Sequence, residues 1–290
     1  MNFTLSNDTL QVVLSSFGGC IESIRDRRTG LEHYWQYNAG DWPRRTAVCF
    51  PICGALPNET YTYGGKPYHL HSHGFLRERE LTPVGVSSDA ASFLLTSDAE
   101  TRENYPFDFS MQIACQLDGD SLIVRYIVRN TGSKDMYFST GAHYTYAVPV
   151  QPGESYRDYR FRFSGVQTAG RLVVQDGRLA GITEDIFHGR DALPLDGLFG
   201  GGSTILRCCD LTENRIRLES SLSGAATEVS FDGFSHVVLW APRDGAPFAC
   251  IEPWAGMLDA VDGSGRIEEK PGIVTLRPDE ARAYTQVIRV

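Results

Sequence analysis

Hydrophobic and polar residues alternate along this chain over many short segments. Such alternation is typical of β-strands, because successive side chains of a strand point to opposite faces of a sheet. Val, Ile, Phe, Tyr and Thr, which favour strands, are frequent in these segments. The predicted strands include TLQVVLSS, ASFLLTS, SMQIACQLDGDSLIVRYIVRNT, YRFRFS, STILRCC, RIRLES, TEVSFDG, SHVVLW, PFACIEPW and AYTQVIRV.

Turn residues separate these segments, and patterns with a helical period are nearly absent. The Asp118-Gly119 dipeptide between two apolar segments predicts a tight β-hairpin. No Gly/Ser linker, low-complexity run or internal repeat marks a boundary. The pattern therefore predicts a single all-β domain over residues 1–290, built as a large antiparallel β-sandwich.

Composition narrows the class of partner. The chain has 290 residues and a formal net charge of −9. An acidic surface repels phosphate, so we expect neither nucleic acid nor a membrane as a partner, and a small molecule remains open. The chain shows no signal-peptide pattern, and its seven cysteines lack paired CxxC spacing. These features favour a cytoplasmic protein, which we expect to be a monomer or a homodimer.

The segment PFACIEPW carries an ionisable residue inside an apolar run. Both of its faces are apolar, so it should be a central strand, with Glu252 embedded in it. A buried carboxylate must be paired, protonated or placed facing a cleft. We expect Pro253 to end the strand and Trp254 to offer a flat apolar surface. The alternative is that Glu252 forms a salt bridge at the sheet edge.

His143 lies in the segment TGAHYTYAVP, after Gly141 and Ala142. The two small residues leave room for another group to approach the imidazole. The alternative is a core histidine that bonds to a nearby hydroxyl or carbonyl.

Three histidines two residues apart stand out in YHLHSHGFLRE. On a strand, His69, His71 and His73 would share one face. They are either metal ligands or one acid–base group beside two bystanders, although three consecutive strand histidines converge poorly on one ion. Gly74 would leave room for a ligand near the backbone. Arg77 either positions an anion or a hydroxyl, or pairs with a neighbouring carboxylate.

The chain contains no GxSxG, P-loop, GxGxxG or HExxH pattern. What remains is one embedded carboxylate and several histidines among aromatic residues. This set suits proton transfer without a cofactor, with a carboxylate as general base and an imidazole as general acid.

Five segments together resemble the aldose 1-epimerase (galactose mutarotase) family, and most closely its bacterial branch of lactose-operon mutarotase-like proteins. They occur in the expected order over nearly the whole chain. The segments are GGCIESIRDRRTGLEHYW, AVCFPICGALPNETYTYGGKPYHLHSHGFLRE, GAHYTYAVP, SHVVLWAPRDGAPFACIEPWAGMLDAVD and GRIEEKPGIVTLRPDEARAYTQVIRV.

The resemblance implies a galactose mutarotase-like supersandwich with a carbohydrate groove and with no cofactor, and we expect no metal. It implies that Glu252 is the catalytic base, that His143 is the acid for the sugar ring oxygen and that His73 assists it. A monosaccharide is then the expected partner. The predicted substrate-binding residues flank these three positions and are Arg77, His71, Trp254 and Tyr144.

The chain departs from the family pattern at two places. Where relatives carry an arginine it has Ala55 and Glu59, and in GLFGGGSTIL it has glycine where an aspartate is expected. The sequence therefore leaves the identity of the substrate undetermined. One alternative is a hexose-6-phosphate 1-epimerase that uses Arg44, Arg45 or Arg77 for the phosphate, and another is a non-catalytic carbohydrate-binding protein on the same scaffold.

Overall fold

A computed structural model of the protein describes residues 1–44, 48–200 and 202–290. Within them the secondary structure is almost entirely β. The strands are β1 (Asn2–Ser6), β2 (Leu10–Ser15), β3 (Cys20–Asp26), β4 (Val48–Cys49), β5 (Thr60–Tyr63), β6 (Lys66–His69), β7 (Thr82–Val86), β8 (Ala90–Thr96), β9 (Phe109–Asp118), β10 (Ser121–Asn130), β11 (Met136–Phe138), β12 (Thr140–Ala142), β13 (Thr145–Ala147), β14 (Tyr159–Phe163), β15 (Gly170–Gln175), β16 (Arg178–Asp185), β17 (Ala192–Pro194), β18 (Thr204–Arg207), β19 (Arg215–Ser220), β20 (Ala226–Asp232), β21 (His236–Trp240), β22 (Phe248–Ala255), β23 (Val274–Leu276) and β24 (Ala281–Arg289).

Helical structure is confined to short pieces. The α-helix α1 (Ala99–Asn104) begins with a capping box made by Asp98 and Thr101. The 3₁₀ turns span Pro57–Glu59, Leu76–Glu78, Tyr156–Asp158, Cys208–Asp210 and Ile267–Glu269. None of the helices in the described ranges is long and apolar enough to cross a membrane.

Two large antiparallel sheets form the β-sandwich that the sequence predicts. A nine-stranded sheet has the order β17-β14-β19-β20-β24-β10-β9-β8-β7. An eight-stranded sheet has the order β16-β15-β18-β21-β22-β12-β4, with β13 also paired to β22. Buried apolar residues from both sheets pack into one core. Gln286 of the first sheet donates a hydrogen bond to the Tyr146 hydroxyl of the second at 3.0 Å, which ties the layers together.

The predicted hairpin is confirmed in the nine-stranded sheet. Asp118 of β9 pairs with Ser121 of β10 across the turn, and Gly119 has a φ of +55°. Along β9 the buried residues alternate with more exposed ones, as Phe109, Met111 and Ile113 do. Each fully buried apolar side chain of this size contributes about 1.5–3 kcal/mol to folding.

β22 is the central strand that the apolar segment predicts, and all of its residues are buried. The expectation that Pro253 ends the strand was wrong, because pairing with β21 continues through Val237 opposite Pro253. The Trp254 carbonyl accepts a bond from Ser235 on the β21 side. The Pro253 nitrogen therefore points away from β21. On that side the partner strand of β22 changes from β13 to β12, and no N–H donor is required at Pro253.

Candidate active site

A cavity of about 550 Å³ lies over one face of the eight-stranded sheet. Its floor includes Val238 and Trp240 of β21, and Glu252 and Trp254 of β22. Because these residues alternate along their strands, they all face the same side of the sheet. The loops that follow β6 and β12 bring His73 and His143 to the same cavity.

The strand register explains why His143 and Glu252 meet. β12 places Gly141 opposite Trp254, and β13 places Thr145 opposite Cys250. Counting between these pairs puts His143 opposite Glu252, and side chains of opposite residues share a face of the sheet. His143 Nδ1 lies 3.4 Å from Glu252 Oε1. An imidazole and a carboxyl group are thus held as a cross-strand pair at the floor of the cavity.

The Glu252 carboxyl group is almost completely removed from solvent, with the residue 1% exposed. Its Oε2 atom makes no hydrogen bond to any residue that the structure describes. Burial raises the pKa of Glu252 well above its ordinary value, because desolvation penalises the charged form more than the neighbouring Cys250 and Trp254 stabilise it. A ligand that donates a hydrogen bond would relieve this penalty.

Burial shifts the pKa of His143 in the opposite direction, because the charged form of an imidazole is the protonated one. Burial lowers its pKa to about 3, and the charge of Arg77 adds to the effect. The facing pair therefore holds one proton over a wide pH range, and burial alone places that proton on Glu252 rather than on the imidazole.

The loop that carries His73 has a strained backbone fixed by hydrogen bonds. His73 has a φ of +65° and Gly74 a φ of +72°. The amide of Phe50 donates to the His73 carbonyl, and the Phe75 amide donates to the Phe50 carbonyl. A Cβ at Gly74 would lie 2.2 Å from the Phe50 oxygen. Gly74 is therefore required for this backbone contact, a reason that the sequence pattern did not indicate.

Replacing Gly74 by Ala should displace this loop. Gly65 has a similar φ of +76° but nothing within 4 Å of an added Cβ, so Gly65→Ala is the matched control. We expect Gly74→Ala to lower the free energy of unfolding by about 1–3 kcal/mol more than Gly65→Ala does, because of the clash with Phe50. Urea unfolding measures the difference, and equal losses in the two variants would contradict the role of the contact.

The hydrogen bonds of His73 define its tautomer. Its Nδ1 accepts a bond from the Gly54 amide at 3.2 Å and contacts Cys49 Sγ at 3.1 Å. Burial lowers the pKa of His73, with the charges of His143 and Arg77 contributing, so the ring is neutral. The proton of a neutral ring whose Nδ1 accepts is on Nε2, which makes His73 a hydrogen-bond donor at that atom.

Aromatic rings surround these polar groups. Trp254 and Trp240 stand edge-on to His73 and His143, with ring centroids 5.7 and 5.6 Å apart respectively. The Trp254 indole donates to the Ala142 carbonyl at 3.1 Å. A Cβ at Gly141 would lie 2.4 Å from Trp254, so this small residue accommodates the indole. Such apolar walls with a few polar groups are usual in small-molecule sites.

Comparison with known proteins agrees with this arrangement. The family model for aldose 1-epimerase matches residues 1–289. The chain belongs to the aldose 1-epimerase family. The family resemblance noted in the sequence is thereby confirmed, and the aromatic-lined cavity over the eight-stranded sheet is the candidate active site of a member of this family.

Relatives within the family match over nearly their whole length. The chromosomal LacX protein of Lactococcus lactis subsp. lactis is 30% identical over 294 residues, which cover 96% of this chain and 95% of that protein. A galactose mutarotase related enzyme from Lactobacillus acidophilus superposes with a TM-score of 0.94 at 30% identity, covering 100% of this chain and 97% of the other. A galactose mutarotase-like protein from Lactobacillus casei gives 0.91 at 25% identity, covering 100% and 99%.

Five of the seven predicted site residues of this aldose 1-epimerase family member line the cavity, and two lie outside it. Glu252, His143, His73, Arg77 and Trp254 all line the cavity. Tyr144, the neighbour of His143 in sequence, is fully buried in the core, because adjacent residues of an extended chain point to opposite faces. His71 is exposed and pairs with Glu59 at 3.0 Å. The predicted sugar contacts of Tyr144 and His71 are therefore not retained.

The three spaced histidines do not share one strand face. β6 ends at His69, whose Nδ1 lies 3.0 Å from the Thr60 hydroxyl, and the chain then turns. His71 contacts Glu59, whereas His73 reaches the cavity. The interpretation of these residues as one acid–base group and two bystanders fits this placement, because a turn between them sends each ring to a different partner.

Some of the positions at which the chain departs from the family pattern line the cavity, and others do not. Ala55 and Ser203 line it, whereas Glu59 lies outside and pairs with His71. Arg44 lines the cavity from the loop before β4. Arg45 and Gly201 lie outside the described residues.

Sequence reasoning missed several cavity residues, namely Trp42, Cys49 and Trp240, together with the role of Cys250 beside His143. Trp240 could have been found, because it ends the predicted strand SHVVLW that precedes the Glu252 strand in the sequence, and consecutive antiparallel strands usually lie side by side. Cys49 and Trp42 gave no signal, since only the loop connections bring them to the cavity.

Proposed function

We propose that this protein is an aldose 1-epimerase that interconverts the α and β anomers of a free hexose by acid–base catalysis without a cofactor. The observation that carries the proposal is the cross-strand pair of Glu252 and His143, 3.4 Å apart in an aromatic-lined cavity. The family membership of the whole chain supports it.

In the proposed reaction, Glu252 removes the proton from the C1 hydroxyl while His143 donates a proton to the ring oxygen. The C1–O5 bond breaks to give the open-chain aldehyde, and His73 Nε2–H stabilises the same oxygen. After rotation about C1–C2, the C5 oxygen attacks the other face of the carbonyl and the two protons return. Each well-placed acid or base contributes about 10²–10⁴-fold to such a reaction.

The number of protons held by Glu252 and His143 fits this cycle, because the pair takes one proton from the sugar and gives one back to it. To act as base, Glu252 must be ionised and His143 protonated, which burial alone disfavours. A hydroxyl donating to the unpartnered Glu252 Oε2 favours the ionised carboxylate, because hydrogen bonds to the charged form lower its pKa. Substrate binding thus promotes the transfer of the proton to His143.

Saturation-transfer NMR on the anomers of glucose, galactose and other aldoses tests the proposal. The wild-type protein should accelerate exchange between the α and β signals of at least one sugar in the panel. Exchange no faster than in buffer for every sugar would overturn the proposal, and calorimetric binding of a sugar without exchange would assign a non-catalytic binding role instead.

The activity should depend on pH through the single proton of the pair. Below the pKa of His143, about 3, both groups are protonated and the base is lost. Above the raised pKa of Glu252 both are deprotonated and the acid is lost, so kcat/KM should fall as pH increases through that value. A kcat/KM–pH profile corrected for spontaneous mutarotation measures both limbs. An acid limb near 6.5, the ordinary pKa of histidine, would contradict this assignment.

A phosphorylated hexose is a second candidate substrate. Arg44 and Arg77 line the cavity, and Glu252, the carboxylic acid among the lining residues, tends to be neutral. A cationic cavity on an acidic protein favours an anionic ligand. Exchange of glucose 6-phosphate anomers that is faster than exchange of glucose in the same NMR assay would favour this substrate.

A further inference from the structure

A second chemical property of the cavity floor concerns metal ions. His143 Nδ1, Cys250 Sγ and a Glu252 carboxylate oxygen all lie within 4.8 Å of one another. Cys250 precedes Glu252 by two positions on β22, so both side chains emerge on the face that His143 approaches from the connection between β12 and β13. The three donors come together because of the register of the sheet and are not a chance surface cluster.

Two of the three separations between these donors are close to those of a zinc site. With Zn–N, Zn–O and Zn–S distances of ~2.0, ~2.1 and ~2.3 Å, tetrahedral angles require N···O and N···S separations of about 3.4 and 3.5 Å. The observed separations are 3.4 Å between His143 Nδ1 and Glu252 Oε1 and 3.9 Å between His143 Nδ1 and Cys250 Sγ. The N···O separation already fits, and the Cys250 side chain would have to move toward the imidazole to ligate an ion.

The unpartnered oxygen of Glu252 independently points to a ligand. Glu252 is 1% exposed, and its Oε2 has no hydrogen-bond partner among the described residues. A buried carboxyl oxygen without a partner is costly, and either a donor or a cation would compensate it. His143 and Glu252 also line the cavity, so a fourth coordination position would face it.

We infer that His143, Cys250 and Glu252 form a binding site for one Zn²⁺ ion and that the bound ion inhibits the epimerase. The mixed nitrogen, sulfur and oxygen donors select a borderline-soft cation over Mg²⁺ or Ca²⁺, which prefer oxygen. The ion takes the lone pairs that proton transfer requires, and the protons of the Cys250 thiol and the Glu252 carboxyl group are released to solvent. The inhibition rests on the proposed function, whereas the binding does not.

Cobalt and zinc binding to the full chain test the site without any activity measurement. Co²⁺ should give visible d–d bands and a sulfur-to-cobalt charge-transfer band, and Zn²⁺ should bind at one equivalent in competition with a chromophoric chelator. Cys250→Ala should abolish the charge-transfer band and weaken Zn²⁺ binding by more than about 100-fold, since even residues behind the ligands cost 10–100-fold. Cys250→Ser repeats the test if the alanine variant does not fold.

Two other cysteines serve as controls. Cys209 is exposed and is not among the residues that line the cavity, so Cys209→Ala should retain the band and the affinity. Cys49 lies 3.1 Å from His73 and offers the nearest competing sulfur–nitrogen pair. A band lost in Cys49→Ala and retained in Cys250→Ala would overturn the assignment, as would the absence of Zn²⁺ binding at micromolar concentration.

The inhibition is read as the ratio of anomer-exchange rates with and without Zn²⁺ within each variant. Wild type should be inhibited and should recover when a chelator is added, whereas the ratio for Cys250→Ala should stay near one. Zn²⁺ bound through Cys250 without inhibition of a measurable exchange would overturn the inhibitory role. Zn²⁺ binding by a metal-free protein that catalyses no exchange supports the site and contradicts the proposed function, so the two failures are distinguishable.

Discussion

Replacing Glu252 by Gln is expected to lower kcat for anomer exchange by about 10²–10⁴-fold. The amide keeps the size and shape of the side chain but cannot accept the C1 hydroxyl proton. His143 would remain in place, because its position follows from the pairing of β12 and β13 with β22. KM should change much less than kcat, since the lost interaction is a proton transfer in the transition state.

Saturation-transfer NMR on the same sugar panel measures this loss, with thermal unfolding as a check of folding. Glu219→Gln is the control, because Glu219 is also a buried carboxylate but lies on β19 of the other sheet, 2.9 Å from Arg160. It should leave the exchange rate at the wild-type level. A Glu252→Gln rate equal to that of wild type would remove Glu252 from the mechanism.

Removing the side chain of Asp259 should cost about 3–5 kcal/mol of stability, the usual penalty for leaving a buried charge without its partner. Asp259 Oδ1 lies 2.5 Å from Lys270 Nζ, and both residues are buried. The Asp259 carbonyl also accepts a bond from the Leu179 amide, so the pair stabilises the chain segment beside the cavity residue Leu258. Asp259→Ala leaves the buried Lys270 ammonium without this partner.

The pH dependence of this loss has a defined sign. Burial lowers the pKa of Lys270, and Asp259 opposes that shift. Without Asp259 the folded state holds the Lys270 proton less tightly than the unfolded state does, so the stability of Asp259→Ala should recover as pH rises. Urea unfolding at neutral and alkaline pH measures this recovery.

The double variant Asp259→Leu/Lys270→Met is the matched control for the ion pair. Replacing a buried pair by apolar groups of similar volume is often neutral or stabilising, so this variant should be more stable than Asp259→Ala. A single Asp259→Ala loss below about 1 kcal/mol would show that the pair is screened, as exposed ion pairs are.

The sequence predicted the fold well because strand alternation is a local property. The β9–β10 hairpin needs only Asp-Gly between two alternating segments. The central position of β22 followed from apolar residues on both of its faces. The predicted strand end at Pro253 was wrong. A strand accommodates proline where the proline nitrogen faces a position that requires no N–H donor, and this depends on the neighbouring strands rather than on the segment itself.

The candidate site was predictable only in part. Glu252 stood out because a carboxyl group in an apolar strand requires an explanation, and the family resemblance supplied roles for His143 and His73. Spacing alone did not distinguish His73 from His69 and His71, because the chain leaves β6 after His69. Tyr144 was misplaced because its position beside His143 in sequence puts it on the opposite face.

The sequence by itself determined an antiparallel β protein with an embedded carboxylate, since alternation and apolar runs specify which face each side chain takes within an element. Only the tertiary structure decided which elements lie side by side. The register of β12 and β13 against β22 set His143 opposite Glu252, and backbone bonds to Phe50 brought His73 to the cavity. Those contacts join segments far apart in the chain, and no local pattern encodes their pairing.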